Sequence, residues 1–314
     1  MPELNRSNGS RCETAAQQAV WAPNNLPHFP SCSNRLALRR FLATFGMAIA
    51  PDFWELWHMD ERRGIDFLGI GAHGAGSAWL WYWMSRHPDI GFVRPGAGDG
   101  WHEKEVHYWN RHADKTVDWY LDHFDWDKRV VGEITPAYAR LRQDTVKGIH
   151  KLFPRIHILY LVRDPLYRTW SDVRRRARKL RFGRDRLKIK WVIEQATRPK
   201  VAIRNDYVTT AENWRTAFGQ DRLHVFPYAL ISNHPKQFLC RVCEILDLDP
   251  NFYDQMDNRA FESGPHNGGD EVCPRDYVEW FATQPVMSWQ EQLRHLENMG
   301  VLDTIGNPVT DADA

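Results

Sequence analysis

Residues 65–84 read IDFLGIGAHGAGSAWLWYWM, a short apolar run, four glycines within eight residues, and an apolar helix that Pro88 brings to an end. A strand entering a glycine loop that opens a helix is one half of a βαβ unit, and it commits the chain to a parallel sheet. The loop itself fits two templates. Gly69, Gly71 and Gly74 satisfy G-x-G-x-x-G, the dinucleotide fingerprint, while Gly71 and Gly76 have the spacing of a phosphate loop with Ser77 where a nucleoside-triphosphate enzyme carries lysine. The fingerprint also requires an acidic residue at the end of the next strand; Asp89 precedes the apolar IGFV and Arg94 follows it, so that requirement is not met. What remains is a cradle of backbone amides at a helix N-terminus, with the Ser77 hydroxyl and His73 as side-chain donors, suited to phosphate or sulfate.

The pattern downstream repeats strand and helix: RVVGEITPAY, then IHILYLVRDP before the basic helix YRTWSDVRRRARK, then YVTTAENWRTAF, LHVFPYALI and PKQFLCRVCEILDL. This order predicts a three-layer α/β/α fold with a mainly parallel central sheet, whose ligands sit at the carboxyl ends of the strands. Residues 61–314 form the α/β domain in this reading. Residues 1–60 are an extension, a polar arm followed by an amphipathic helix with Leu36, Leu38, Phe41, Leu42 and Phe45 at helical spacing, docked on the body or on a partner.

With 41 basic against 40 acidic residues the net charge is +1, and no reader motif is present, so a nucleic-acid partner is not expected. The five cysteines show no framework spacing; Cys240 and Cys243 fall where both face the core of a helix, and no second ligand pair is there to make a metal site. The first residues lack the apolar core of a signal peptide and no apolar run is long enough to span a membrane, so the expected setting is cytoplasmic.

The stretch ILYLVRDPLYRTWSDV, residues 158–173, resembles the element by which sulfotransferases hold the 3′-phosphate of 3′-phosphoadenosine-5′-phosphosulfate (PAPS). The glycine loop with HPDI, then KEVHYW, GEITPAY and the segment from Tyr207 to Leu248 resemble further parts of that family in the same order, from Asp66 onward. The resemblance implies a PAPS-dependent sulfotransferase, with 3′-phosphoadenosine-5′-phosphate (PAP) as product and a small-molecule or carbohydrate acceptor. It makes Gly74, Ala75, Gly76, Ser77 and Ala78 the loop around the 5′-phosphosulfate, places Trp79 near the adenine, and gives Arg163 and Ser171 to the 3′-phosphate. Tyr207 corresponds to an aromatic residue near the nucleotide, and Glu105 and His107 match the catalytic-base positions of the branch that sulfates heparan chains.

Two positions depart from the family. Gly74 stands where a lysine or arginine usually stabilises charge on the bridging oxygen, and Ala78 replaces a second hydroxyl residue. His73, or a lysine or arginine from elsewhere, is then expected to supply the missing charge. The same gap keeps open a pseudoenzyme that retains the nucleotide fold as a binding or scaffold protein, and the fingerprint keeps open an NAD(P)-binding oxidoreductase. Glu105 is expected to act as base with a pKa raised by partial burial, sharing a face with His107 if the segment is extended. Glu133 is expected to be structural. The basic run 174–190 reads either as solvated surface or as an attractor of the anionic donor or acceptor, and the tryptophans, including Trp79, Trp81, Trp83, Trp101 and Trp109, as core or as a stacking surface.

Overall fold

The structure, a computed structural model, describes residues 64–94, 104–182, 187–262 and 272–305, all within one compact unit, Arg62–Ala314. The arm and amphipathic helix expected in residues 1–60, Trp101, and residues 183–186 of the basic run lie outside the described residues. The chain runs β1 (Phe67–Gly71), α1 (Ser77–Met84), β2 (Ile90–Gly91), α2 (Tyr108–Arg111), α3 (Val117–Leu121), β3 (Val130–Ile134), α4 (Gln143–Leu152), β4 (His157–Val162) and α5 (Pro165–Lys179). It continues through α6 (Ile189–Ala196), α7 (Pro199–Ala202), α8 (Tyr207–Phe218), β5 (Leu223–Pro227), α9 (Ala229–Asn233), α10 (Pro235–Ile245), α11 (Asn251–Asp254), α12 (Arg275–Phe281) and α13 (Trp289–Asn298).

The five strands form one sheet in the order β2-β3-β1-β4-β5, and every strand pairing is parallel. Successive residues of a strand face opposite sides of a sheet, yet all five residues of β1 and of β3, and five of the six of β4, are buried. Both faces are therefore covered by helices, the three-layer arrangement expected of such apolar runs. A second apolar cluster of Trp170, Val173, Val192, Ala196, Cys273 and Tyr277 ties α5 to α6 and α12, and the Tyr277 hydroxyl donates to the Leu166 carbonyl at 3.0 Å.

The strand order also decides between the two loop templates. In a dinucleotide-binding sheet the second strand lies beside the first. Here β3 lies beside β1 and β2 is displaced to the edge. Each glycine of the apparent fingerprint is used by the protein itself: a Cβ at position 69 would come within 2.7 Å of the Ile134 side chain, one at 71 within 2.9 Å of the Pro136 carbonyl oxygen, and one at 74 within 3.2 Å of the Arg168 carbonyl oxygen.

Candidate active site

Because β1 leads to β2 on one side and β4 lies on the other, the order in which strands are added reverses between the parallel β1 and β4, and the crevice above their carboxyl ends is where such a sheet receives ligands. Two loops meet there. Residues 72–76 leave β1 and end in Gly76, which caps α1 with φ +97°, a left-handed conformation that glycine adopts without strain. No side chain caps this helix end, so its first amides stay directed at the loop.

The second loop is Arg163-Asp164 after β4. Asp164 is the N-cap of α5, its side chain accepting from the Leu166 amide at 2.7 Å, and Pro165 occupies the first helical position. This local chemistry starts the helix abruptly and leaves Arg163 as the last residue before it. The Arg163 guanidinium reaches across to the Gly74 carbonyl at 3.3 Å and lies over the Tyr228 ring, 4.1 Å from its centroid. Tyr207, fully buried, donates its hydroxyl to the Arg163 carbonyl at 2.6 Å. Its role here is to fix Arg163. Nearly two turns into α5, Ser171 faces the loop: its Oγ is 3.5 Å from where a Cβ on Gly74 would stand. Gly74, Arg163 and Ser171 thus meet, with Ser77 at the first position of α1, Ala75 and Gly76 buried and Ala78 half-buried.

Trp79 is placed differently from the expectation. It is 2% exposed and packs against Phe238 and Trp83, so it offers no ring face to a base. Its indole belongs to the core because α1 turns that side toward the sheet. His73 is also not the cation expected of it. Burial first, and then the nearby charges of Arg204 and Arg175, push its imidazole down to about 3, so it is uncharged at neutral pH.

The 104–107 segment is strung along the carboxyl end of β3. The Ile134 amide donates to the Lys104 carbonyl at 2.9 Å, and the Val106 amide donates to Glu133 Oε2 at 2.9 Å. Glu133 is wholly buried and also accepts from the hydroxyls of Tyr120 at 2.8 Å, Tyr138 at 2.9 Å and Thr135. Burial raises its pKa against these hydrogen bonds. Glu133 is therefore an internal anchor that holds the segment to the sheet.

His107 caps α2 with φ 61°, and this turn, rather than the extended face expected, brings its Nε2 to 2.9 Å from Glu105 Oε2. The other oxygen of Glu105 is 2.8 Å from the nearly buried ammonium of Lys104. The Glu105 carboxyl accordingly departs from the expected upward shift: burial raises it, but the hydrogen bond from His107 and the charge of Lys104 outweigh burial and hold it at about 2. The Glu105 charge is the weakest of the influences on the His73 imidazole, and it opposes the downward shift.

A cluster not foreseen in the sequence adjoins the loop. Asp172 on α5 accepts from Arg168 at 2.9 Å, Arg175 at 2.6 Å and Arg204 at 2.6 Å. Arg168 is fully buried; its Nη1 also lies 3.5 Å from the His73 carbonyl, and its remaining donors go to Asn205, Thr169 and the Val201 carbonyl. The pairing of Asp172 with Arg204, 32 residues on, has no short-range signature in the sequence. Lys104 could have been found as the cation beside Glu105.

Residues 101–254 match the sequence profile of the sulfotransferase family. A membrane-associated sulfotransferase, kil1, of Dictyostelium discoideum is 26% identical over 112 residues, 34% of this chain, and the match spans 22% of that protein's length. A sulfotransferase of Alicyclobacillus acidocaldarius, known from its crystal structure, shares the fold with a TM-score of 0.54 at 18% identity, over 77% of this chain and 98% of that one. No helix among the described residues is long and apolar enough to cross a membrane.

Proposed function

Because this chain carries a sulfotransferase-family domain, we propose that it transfers a sulfuryl group from PAPS to a hydroxyl or amine of a small-molecule or carbohydrate acceptor. The observation that carries this reading is the meeting of the Gly74–Ser77 loop with Arg163 and Ser171 at the β1/β4 crevice. The donor chemistry there fits the nucleotide: a glycine cradle opening a helix for one anionic end, and a guanidinium and hydroxyl for the other. The donor supplies an activated sulfuryl group, whose S–O bond to the 5′-phosphate breaks as the new bond to the acceptor oxygen or nitrogen forms.

The chain's residues bind, orient and neutralise. Arg163 and Ser171 hold the 3′-phosphate, and the amides of residues 74–77 with the Ser77 hydroxyl hold the opposite end. Glu105, ionised at neutral pH, uses its free lone pairs to accept the acceptor's O–H or N–H, and the released proton is taken up by the Glu105–His107 pair acting as one unit. Lys104 keeps that carboxylate in place, and Glu133 keeps the segment on the sheet. Proximity and charge compensation do most of the work in such transfers.

Calorimetric titration with PAP, and with NADH as control, tests the reading. Binding of PAP and not NADH is expected. Arg163→Ala should weaken PAP by about 10- to 100-fold, the worth of hydrogen bonds to a charged group. Absence of PAP binding to the wild-type protein would overturn the assignment, and an unchanged affinity in Arg163→Ala would remove Arg163 from the site.

A further inference from the structure

A lysine at position 74 would supply positive charge to an anion in the glycine loop, and the chain has none there. The backbone disfavours one. Gly74 has φ +84°, a conformation L side chains rarely adopt, and a Cβ on it would crowd the Arg168 carbonyl oxygen at 3.2 Å while touching Ser171 at 3.5 Å. The charge has to come from another element.

Among the described residues, Arg163 reaches the loop at the Gly74 carbonyl but is given to the 3′-phosphate in this reading, which leaves four cations or potential cations to weigh. His73 is neutral, as argued above. Lys104 is spent on Glu105 and tied by its backbone to β3. Arg168 has its donors engaged by Asn205, Asp172, Thr169 and two carbonyl groups. Arg204 differs. It stands in the single turn Ile203–Asn205 that precedes α8, and its Nη1 is held by Asp172 Oδ2, the same oxygen that holds Arg168 Nη1 beside the His73 carbonyl. Its side chain is only 15% exposed, and its Nε is buried without a hydrogen-bond partner among the described residues. Three guanidinium groups share the Asp172 carboxylate, so the cluster carries two positive charges in excess. The cluster adjoins the loop, since the Asp172 oxygen that holds Arg204 also holds Arg168 Nη1, 3.5 Å from the His73 carbonyl, and in keeping with this Arg204 and Arg175 lower the His73 imidazole.

We propose that Arg204, positioned by Asp172, provides the positive charge to the anion bound in the 72–77 loop, in place of a side chain at residue 74. The inference rests on the reading of the loop as the 5′-phosphosulfate cradle. An unpaired buried donor and an uncompensated charge are both costly in the free protein, and an anionic ligand relieves both at once. Arg175, half-exposed on α5, adds to the field from the solvent side.

The test uses the full chain, with PAP, which has a 5′-phosphate, and adenosine 3′-phosphate, which lacks it. Arg204→Gln is expected to weaken PAP at least about tenfold while leaving adenosine 3′-phosphate unchanged, as loss of one charge-assisted contact requires. Arg204→Lys, which keeps a positive charge for Asp172, should fall between wild type and Arg204→Gln for PAP alone. If Arg204→Gln fails to unfold cooperatively, the wild-type to Arg204→Lys difference decides. Unchanged PAP affinity in the variants, or equal losses for the two nucleotides, overturns the inference and leaves the sulfotransferase reading standing. A wild-type protein that binds neither nucleotide overturns both.

Discussion

Replacing Glu105 by glutamine separates the electrostatics of the site from its shape. The carboxyl sits at about 2 against an ordinary value of 4.5, and its side chain is 13% exposed, so solvent screens it little. At roughly 1.4 kcal/mol per unit, the ionised form is worth about 3 kcal/mol to the folded state. Removing one partner of a nearly buried ion pair, which strands the Lys104 ammonium, costs a similar amount by an independent route, about 3 kcal/mol at the lower end of the range for such pairs. A depressed carboxyl stabilises the fold fully above its unfolded value and loses that contribution as pH falls through its folded value. Glu105→Gln should therefore be about 3 kcal/mol less stable at pH near 7, equivalent to roughly 6–12 °C in Tm, and the gap should close between about pH 5 and pH 2. Urea unfolding followed by tryptophan fluorescence across that range measures both numbers. A gap that is absent at neutral pH, or that persists unchanged into acid, would refute the three-group arrangement of Lys104, Glu105 and His107.

Gly74→Lys should not restore what the family resemblance finds missing: the positive φ and the Arg168 carbonyl make it destabilising by about 1–3 kcal/mol, and calorimetry should show no gain in PAP affinity. A stable variant that bound PAP more tightly would contradict the packing of the loop on α5. At Glu133 the size of the loss should depend on what replaces it. Alanine strands one amide and three hydroxyls, for about 3–5 kcal/mol, whereas glutamine, whose amide oxygen still accepts and whose NH2 can donate to a tyrosine oxygen, should cost about 1–2 kcal/mol. The reverse order in denaturant unfolding would show that Glu133 is not the anchor of the 104–107 segment.

The parallel sheet and its loops were legible in the sequence because their signals are local: apolar runs of strand length, glycines at a strand end, and a proline at the start of α5. Ser77 follows from its place at the end of the glycine loop, whereas Arg163 and Ser171 are singled out only by the likeness of ILYLVRDPLYRTWSDV to a family element. What escaped is long-range. Asp172 binds Arg204 through a turn 32 residues away, and nothing in either segment announces the pairing. Glu105 invited the expectation of a raised pKa because burial is easily guessed from sequence, whereas the left-handed turn that delivers His107 to it is not. Trp79 misled for a related reason: position after a phosphate loop says nothing about which way a helix turns its indole, and here it faces Phe238.

The strand order has a consequence in time. β1, which bears the glycine loop, lies between β3 and β4, and both of its neighbours come later in the chain. As the polypeptide leaves the ribosome, β1 finds its first partner only when β3 emerges, and its second only when Val162 does, roughly 90 residues after Gly71. At about 5–20 residues per second, the apolar FLGIG segment waits about 5–20 s before both its edges are paired. The part of the sheet on which the candidate site depends most is thus the part that stays open longest during synthesis, and substitutions that make it stickier would show first as lost yield of soluble protein.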